Sequence, residues 1–506
     1  MPTFKQARDF LLANRTDYDA AIKGFQWPEP VDFNWALDWF DADLARDAES
    51  KDRLALWIVD VASDKEAKAT FGELSRRSNQ VANWMKQRGL RRGDHLLLVL
   101  NNVMPLWEIM LAAMKVGVVV IPATTLLTAE ELADRVERGR ARMIVTDQDQ
   151  VAKCKGLPRT GVTFVTISDK PDEGWLSLSD AYKCSAEFTP NGVTRAEDPL
   201  LLYFTSGTTA KPKLVRHSQR SYPVGALSTM YWLGLQPGDV HVNISSPGWA
   251  KHAWSTFFAP WNAGATVLMV NQAPFNAAAL LDVLVRCKVT TFCAPPTVWR
   301  LMIQEDLASR KVSLREVCGA GEPLNPEVIE RVRAAWGITI RDGYGQTETT
   351  LQVANPPGLP IKPGSMGVPM PGYAIRLLDS SGRNVDKLSG VAATALAAAL
   401  VGRAARWSPL TWVLAALSSI VPLASMRGNC PLNPAGRTVR RCDSTKYPPS
   451  TRRAAKGRSK SESSRLRSQS GWALSAGESC ENRVEYSISP RSTASDLFMR
   501  RASRNW

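Results

Sequence analysis

Residues 203–215 read Tyr-Phe-Thr-Ser-Gly-Thr-Thr-Ala-Lys-Pro-Lys-Leu-Val, a hydroxyl-rich stretch closed by lysine. The apolar run Leu200, Leu201, Leu202, Tyr203 and Phe204 predicts a sheet strand that presents this stretch at its end. Hydroxyls and backbone N–H groups of Thr205, Ser206, Gly207, Thr208 and Thr209 can converge on an oxyanion, with Lys213 adding a point charge. Those are the parts needed to hold the phosphates of a nucleotide. The spacing is not that of the Gly-x4-Gly-Lys-Ser/Thr phosphate loop, and a proline interrupts it. A plain polar surface loop has the same composition, but this residue order is far more specific than composition.

Two further stretches could serve the same ligand. Asp342, Gly343, Tyr344, Gly345, Gln346, Thr347 and Glu348 follow a predicted strand at 338–341. An aromatic ring (Tyr344), a hydroxyl (Thr347) and a carboxylate (Glu348) suit adenine, an α-phosphate and Mg²⁺ respectively. Magnesium takes only one or two protein oxygens when phosphates supply the rest. A glycine turn with a solvated Glu is the plainer reading of this stretch alone. Gly319, Ala320, Gly321, Glu322, Pro323 and Leu324 end another predicted strand, and the glycines allow close backbone approach to a flat ring. Alone this stretch is weak, since Gly-rich turns are common.

The elements that must position these residues alternate helix and strand. Thr70 and Glu73 form a capping-box pattern ahead of apolar positions at helical spacing, and Thr128 and Glu131 form another. Residues 96–100, 143–146 and 291–294 read as strands, and 277–287 and 326–336 as helices. The alternation predicts an α/β fold of parallel, doubly wound sheets that bind ligands at strand C-termini. The expected organisation is a first α/β subdomain at 1–200 and a second, with the nucleotide motifs, at 201–386. A tail at 387–506 departs from both.

Net charge is +15, but 387–506 holds 20 basic and 6 acidic residues while 1–386 holds 43 and 42. The basicity therefore belongs to the tail, which is Arg/Ser-rich, aperiodic and expected to be irregular or disordered. Residues 407–426 are uncharged and long enough to span a bilayer, but Pro409 and Pro422 interrupt them. Neither a membrane nor nucleic acid is an expected partner. The eight cysteines show no Cys-x-x-Cys spacing, and residues 1–15 lack an apolar signal core, so a reducing cytoplasm is expected.

The three ordered motifs resemble the signatures of the AMP-forming acyl-CoA synthetase superfamily, over roughly residues 25–386. The opening Phe33, Asn34, Trp35, Ala36, Leu37, Asp38, Trp39 and Phe40, with the segment 248–254, looks most like its acetyl- and medium-chain branch. The resemblance implies the family's large N-terminal domain: stacked, mostly parallel sheets flanked by helices, plus a small β subdomain. It implies an acid–thiol ligase that forms an acyl-adenylate from ATP and a short- to medium-chain or aromatic acid, then an acyl-CoA. By similarity, Thr205, Ser206, Gly207, Thr208, Thr209 and Lys213 hold the β/γ-phosphates, and Thr208, Lys213 and Glu348 are the catalytic set. Gly319, Ala320, Gly321, Glu322 and Pro323 border adenine and Tyr344 covers its face. Thr347 binds the α-phosphate, and Asp342, Gly343, Gly345 and Gln346 complete the nucleotide site. Glu348 binds Mg²⁺, while Trp249, His252 and Trp254 line the acyl pocket. ATP, Mg²⁺ and CoA are the implied cofactors.

Two departures bear on activity. Ala210 stands where the family usually has glycine, a cost of about 1 kcal/mol if the backbone there needs positive φ. After residue 386 the expected Thr-Gly-Asp segment, hinge and lysine-bearing lid domain are not recognisable, which reads as a frameshift. Slow adenylation and little CoA transfer are expected. The alternative is a catalytically inactive nucleotide-binding protein whose basic tail recruits nucleic acid.

Overall fold

The computed structural model describes residues 1–205 and 211–376. Ser206, Gly207, Thr208, Thr209 and Ala210 lie outside the described residues, as does the tail 387–506.

Among the described residues, strands assemble into two sheets. The seven-stranded sheet runs Leu176–Ser177, Thr163–Thr166, Ala141–Thr146, His95–Val99, Val119–Ala123, Pro199–Thr205 and Lys213–Ser218. All its neighbours are parallel except the last pair, an antiparallel hairpin with Thr205 opposite Lys213. The nine-stranded sheet runs Val368–Pro369, Thr350–Ala354, Arg341–Gln346, Glu316–Ala320, Thr291–Ala294, Val240–Asn243, Thr266–Asn271, Leu54–Asp60 and Lys65–Thr70. It is parallel at its centre and antiparallel at both ends. Among the described residues, the antiparallel strands Thr350–Ala354 and Val368–Pro369 extend one end of the nine-stranded sheet.

Alternation along each strand builds the layers. Leu96, Leu98, Val120, Leu56, Ile58, Val267 and Met269 face one shared core between the sheets. Their neighbours Leu97, Val99 and Ile121 face outward to the helix Ala129–Arg138, and Leu268 and Val270 face the helices Ala277–Arg286 and Pro326–Trp336. Strands buried on both faces read as continuous apolar runs, which is why these segments lack polar alternation. The helices Phe71–Gln87, Met104–Val116 and Ser221–Leu233 fill the shared layer.

Both capping boxes form: Thr70 caps Phe71–Gln87 with Glu73, and Thr128 caps Ala129–Arg138 with Glu131. The strands sort across the expected boundary at residue 200 rather than along it. Leu54–Asp60 and Lys65–Thr70 join the later sheet, and Pro199–Thr205 and Lys213–Ser218 join the earlier one. Pairing follows the register of exposed backbone groups and not sequence order. No helix among the described residues is long and apolar enough to cross a membrane.

Candidate active site

The phosphate stretch joins two antiparallel strands whose ends pair Thr205 with Lys213. Thr205 ends one strand, and Lys213 is the first residue of the return strand, not part of the loop. Period-two alternation puts Lys213, Val215 and His217 on one face of that strand. Lys213 is exposed, whereas Val215 and His217 are buried.

His217 joins this hairpin to the second motif. Its Nε2 donates to the Thr347 carbonyl at 2.7 Å, and its Nδ1 lies 3.0 Å from Ser221 Oγ. A carbonyl can only accept, so the proton sits on Nε2 and Ser221 donates to Nδ1. Tyr222, which stacks on the His217 ring at 3.5 Å, donates its hydroxyl to the same carbonyl. Burial raises the Tyr222 phenol well above its usual range, and the nearby Glu348 carboxylate adds to the rise. The Lys213 strand and the Thr347–Glu348 turn are therefore held side by side. Glu348 is exposed at the tip of its turn, free to meet a ligand. His217→Phe should lower acid-dependent pyrophosphate exchange about tenfold through kcat, as expected for losing one charge-positioning bond of about 1.4 kcal/mol. His217→Gln, which keeps a donor, should restore most of it. Equal rates for the two variants would show that only packing matters at 217.

The second motif differs from the sequence expectation. Residues 338–341 are not a strand ahead of a loop; the strand is Arg341–Gln346, so the motif lies within the sheet. Gly319 and Ala320 pair with Asp342 and Gly343, which sets the adenine-type turn beside it. Close packing imposes this arrangement. A side chain at Gly343 would come within 2.9 Å of Trp232, and one at Gly345 within 2.2 Å of the Thr350 carbonyl. These two glycines serve the protein's own packing. The turn closes through Thr350, buried at φ +72° and tied by Oγ1 to the Gly225 carbonyl at 3.0 Å. Left-handed backbone at a β-branched residue is strained and persists only where neighbours hold it.

Gly321 follows its strand at φ +110°, and a side chain there would meet nothing within 4 Å. Open space above a glycine turn fits a flat base. Tyr344 is half-buried in the neighbouring strand. Gln346, Glu322 and Pro323 are exposed, and Glu322 is paired with Arg300 at 3.2 Å, so its carboxylate is engaged at the surface. Asp342 is buried, accepts from the Gly343 N–H at 2.8 Å, and burial pushes its carboxyl up to about 7. Among the described residues no cluster of three metal-binding side chains occurs. Glu348 alone is the donor set one expects where phosphates complete a Mg²⁺ shell.

The three acyl-pocket residues do not converge. His252 lines a small apolar void of about 10 Å³ with Leu98, Leu106, Met110, Tyr203 and Phe257. It donates Nε2 to Asn102 at 3.0 Å, and burial pushes its imidazole down to about 3. Trp254 is buried in the central core, whereas Trp249 is 67% exposed and contributes nothing to the pocket wall. A helix turn separates their directions: 249 precedes the helix Ala250–Ala253 and faces outward. Tyr222 and Thr350 were not legible as site residues, because their roles depend on contacts more than 100 residues away in sequence.

Buried neutral histidines set the acid stability of this region. His217 and His252 are pushed down to about 3 and His241 to about 4, all by burial, from an ordinary 6.5. Below pH 6.5 the unfolded chain takes up protons that the folded one refuses, so stability falls as pH drops. Asp342, raised from 3.8 to about 7, acts oppositely; its contribution is full below pH 3.8 and lost as pH rises through 7. Among these four groups three losses against one gain leave roughly two protons, or about 2.7 kcal/mol per pH unit between 6.5 and 4, and the Glu108, Asp38 and Asp147 carboxyls, also raised by burial, offset part of that fall. Thermal unfolding should therefore weaken steeply from pH 6.5 to 5. A flat melting temperature across that range would contradict the assignment.

The hairpin, the glycine turn and the Glu348 turn thus lie on adjoining elements of an α/β fold. The chain belongs to the AMP-binding enzyme family, whose model matches residues 44–391, and to the AMP-forming acyl-CoA synthetase superfamily. It is 41% identical over 358 residues to the 4-hydroxybutyrate–CoA ligase 1 of Metallosphaera sedula, covering 70% of this chain and 62% of that protein. It is 34% identical over 391 residues to the mitochondrial acyl-coenzyme A synthetase ACSM3 of Mus musculus, covering 75% and 67%. The crystal structure of a Brucella canis acyl-CoA synthetase superposes with a TM-score of 0.66 at 28% identity, covering 73% of this chain and 69% of that one. The matches thus span about two thirds of the length of these relatives.

Proposed function

We propose that this chain activates a short- to medium-chain or aromatic carboxylic acid with ATP, yielding an acyl-adenylate and pyrophosphate, and then an acyl-CoA. In the first step a carboxylate oxygen bonds to the α-phosphorus as the bond to the pyrophosphate oxygen breaks. In the second, the CoA thiol bonds to the acyl carbon, loses its proton, and AMP leaves. The observation that carries this reading is the His217–Thr347 bond, which keeps Lys213 and Glu348 on adjoining elements. Two anions must meet in the first step, and the Lys213 ammonium offsets their repulsion and the charge growing on pyrophosphate. Mg²⁺, when held by Glu348, supplies further Lewis-acid charge neutralisation. Thr205, Ser206, Gly207, Thr208 and Thr209 are proposed as phosphate donors and Thr347 as the α-phosphate contact. Gly319, Ala320, Gly321, Asp342 and Tyr344 are proposed around adenine.

The family match ends at residue 391, close to the break in sequence pattern at 386. We propose that the tail arises from a shifted reading frame and that transfer to CoA is weak in this chain. Reading the coding DNA in its other frames tests the first point; lid-domain motifs should appear downstream of codon 387. Acid-dependent exchange of pyrophosphate into ATP tests the activity. Exchange without net thioester is the expected result, and ATP binding without exchange for any acid would overturn the ligase reading.

A further inference from the structure

The helix Ala129–Arg138 touches both strands that flank the phosphate stretch, and no step above uses that contact. Arg138 donates Nη2 to the Pro212 carbonyl at 2.8 Å, one residue before Lys213. The same guanidinium lies 5.4 Å from the centre of the Phe204 ring, one residue before Thr205. Arg135, three residues earlier and so on the same helix face, stands over that ring at 4.9 Å. Thr205 and Lys213 pair across the sheet. Arg138 therefore grips a side chain at one end of the stretch and a backbone carbonyl at the other.

The helix gives this grip a fixed base. Leu132 and Val136 are buried in one apolar cluster with the sheet residues Leu97, Val99 and Ile121, and Phe204 packs against that cluster. Phe204 turns this way because strand alternation sends its neighbour Tyr203 into the core between the sheets. Asp134 accepts from Arg138 Nη1 at 3.1 Å, which orients the guanidinium. A planar fork can serve the Asp134 carboxylate, the Pro212 carbonyl and the Phe204 face together, whereas an ammonium is a single point of charge.

Charge neutralisation during adenylation depends on where the Lys213 ammonium stands, and a misplacement of about 1 Å can cost roughly 100-fold in rate. Lys213 is exposed at the first position of its strand, so its direction follows from how residue 212 is held. We propose that Arg138 is a positioning residue for the phosphate site. By tying Pro212 to the helix and, with Arg135, clamping Phe204, it fixes the two ends of the stretch and presents Lys213 to the leaving pyrophosphate. The inference rests on the adenylating activity proposed above and adds to it a residue from outside the three motifs.

The test is a double-variant cycle in the 506-residue chain, read by acid-dependent pyrophosphate exchange and by calorimetric titration with MgATP. Arg138→Met should slow exchange by roughly 10- to 100-fold, the range for one hydrogen bond from a charged group, and weaken ATP binding about tenfold. In a Lys213→Met background the same change should slow exchange no further, because a residue that acts through Lys213 has nothing left to position. A role in packing alone would instead multiply the two losses. Should Arg138→Met fail to fold, Phe204→Leu removes the ring face from both guanidiniums and should give a smaller loss, about 3- to 10-fold, that also vanishes without Lys213. Exchange and ATP affinity within twofold of the wild type, or losses that multiply, overturn the positioning role and leave the ligase reading standing. A wild-type chain that binds ATP but exchanges with no acid overturns the ligase reading, while the titration still decides the role of Arg138. A chain that does not bind ATP overturns both.

Discussion

Lys115→Met is expected to destabilise the folded chain by about 3–5 kcal/mol, the cost of stranding a buried charge. The Lys115 ammonium is wholly buried and lies 2.8 Å from Asp41, itself 2% exposed. Ser78 Oγ at 2.9 Å and Asn79 Oδ1 at 2.8 Å complete its shell. Three elements meet there: Ala36–Ala45, Phe71–Gln87 and Met104–Val116. Burial lowers the Lys115 pKa, and the Asp41 carboxylate opposes that shift. Removing the lysine alone leaves Asp41 in the core without its counter-charge. The double variant Lys115→Met/Asp41→Leu should recover most of the loss, because well-packed apolar pairs replace buried ion pairs at little cost. Denaturant titration of the three proteins measures both effects. A single variant as stable as the wild type would show that the pair is solvated.

Lys213→Met and Glu348→Gln should each reduce acid-dependent pyrophosphate exchange by roughly 10²- to 10³-fold, the usual loss when one charge-stabilising group is removed. Both side chains are exposed, so neither change should alter the melting temperature in the absence of ligand. That separation makes the result interpretable. Glu348→Gln should also raise the Mg²⁺ concentration needed for half-maximal exchange, whereas Lys213→Met should not. Variants that exchange pyrophosphate like the wild type would remove these residues from the chemistry. The His217 comparison then has a natural place: it tests the bond that holds the two elements together, while these variants test the charges they carry.

Much of the fold was legible because its signals are local. Thr70 with Glu73 and Thr128 with Glu131 announce helix starts through contacts three residues apart. The strand Thr291–Ala294 and the helix Pro326–Trp336 fall where periodicity places them. The strand Arg341–Gln346 was misplaced by several residues, since glycine-rich sequence reads as loop. Only the packing of Trp232 and the Thr350 backbone explains why glycine is required inside that strand. Trp249 and His252, three residues apart, looked equivalent in sequence, yet one faces outward and the other lines a pocket.

The amino-acid order by itself determined the family, the three motifs and the alternation of helices with strands, because each depends on neighbours within a few residues. Tertiary structure alone decided which strands share a sheet and that His217 reaches Thr347 across 130 residues. The physical reason is that hydrogen bonds and buried charges are satisfied in space, by whichever backbone the sheets bring within about 3 Å.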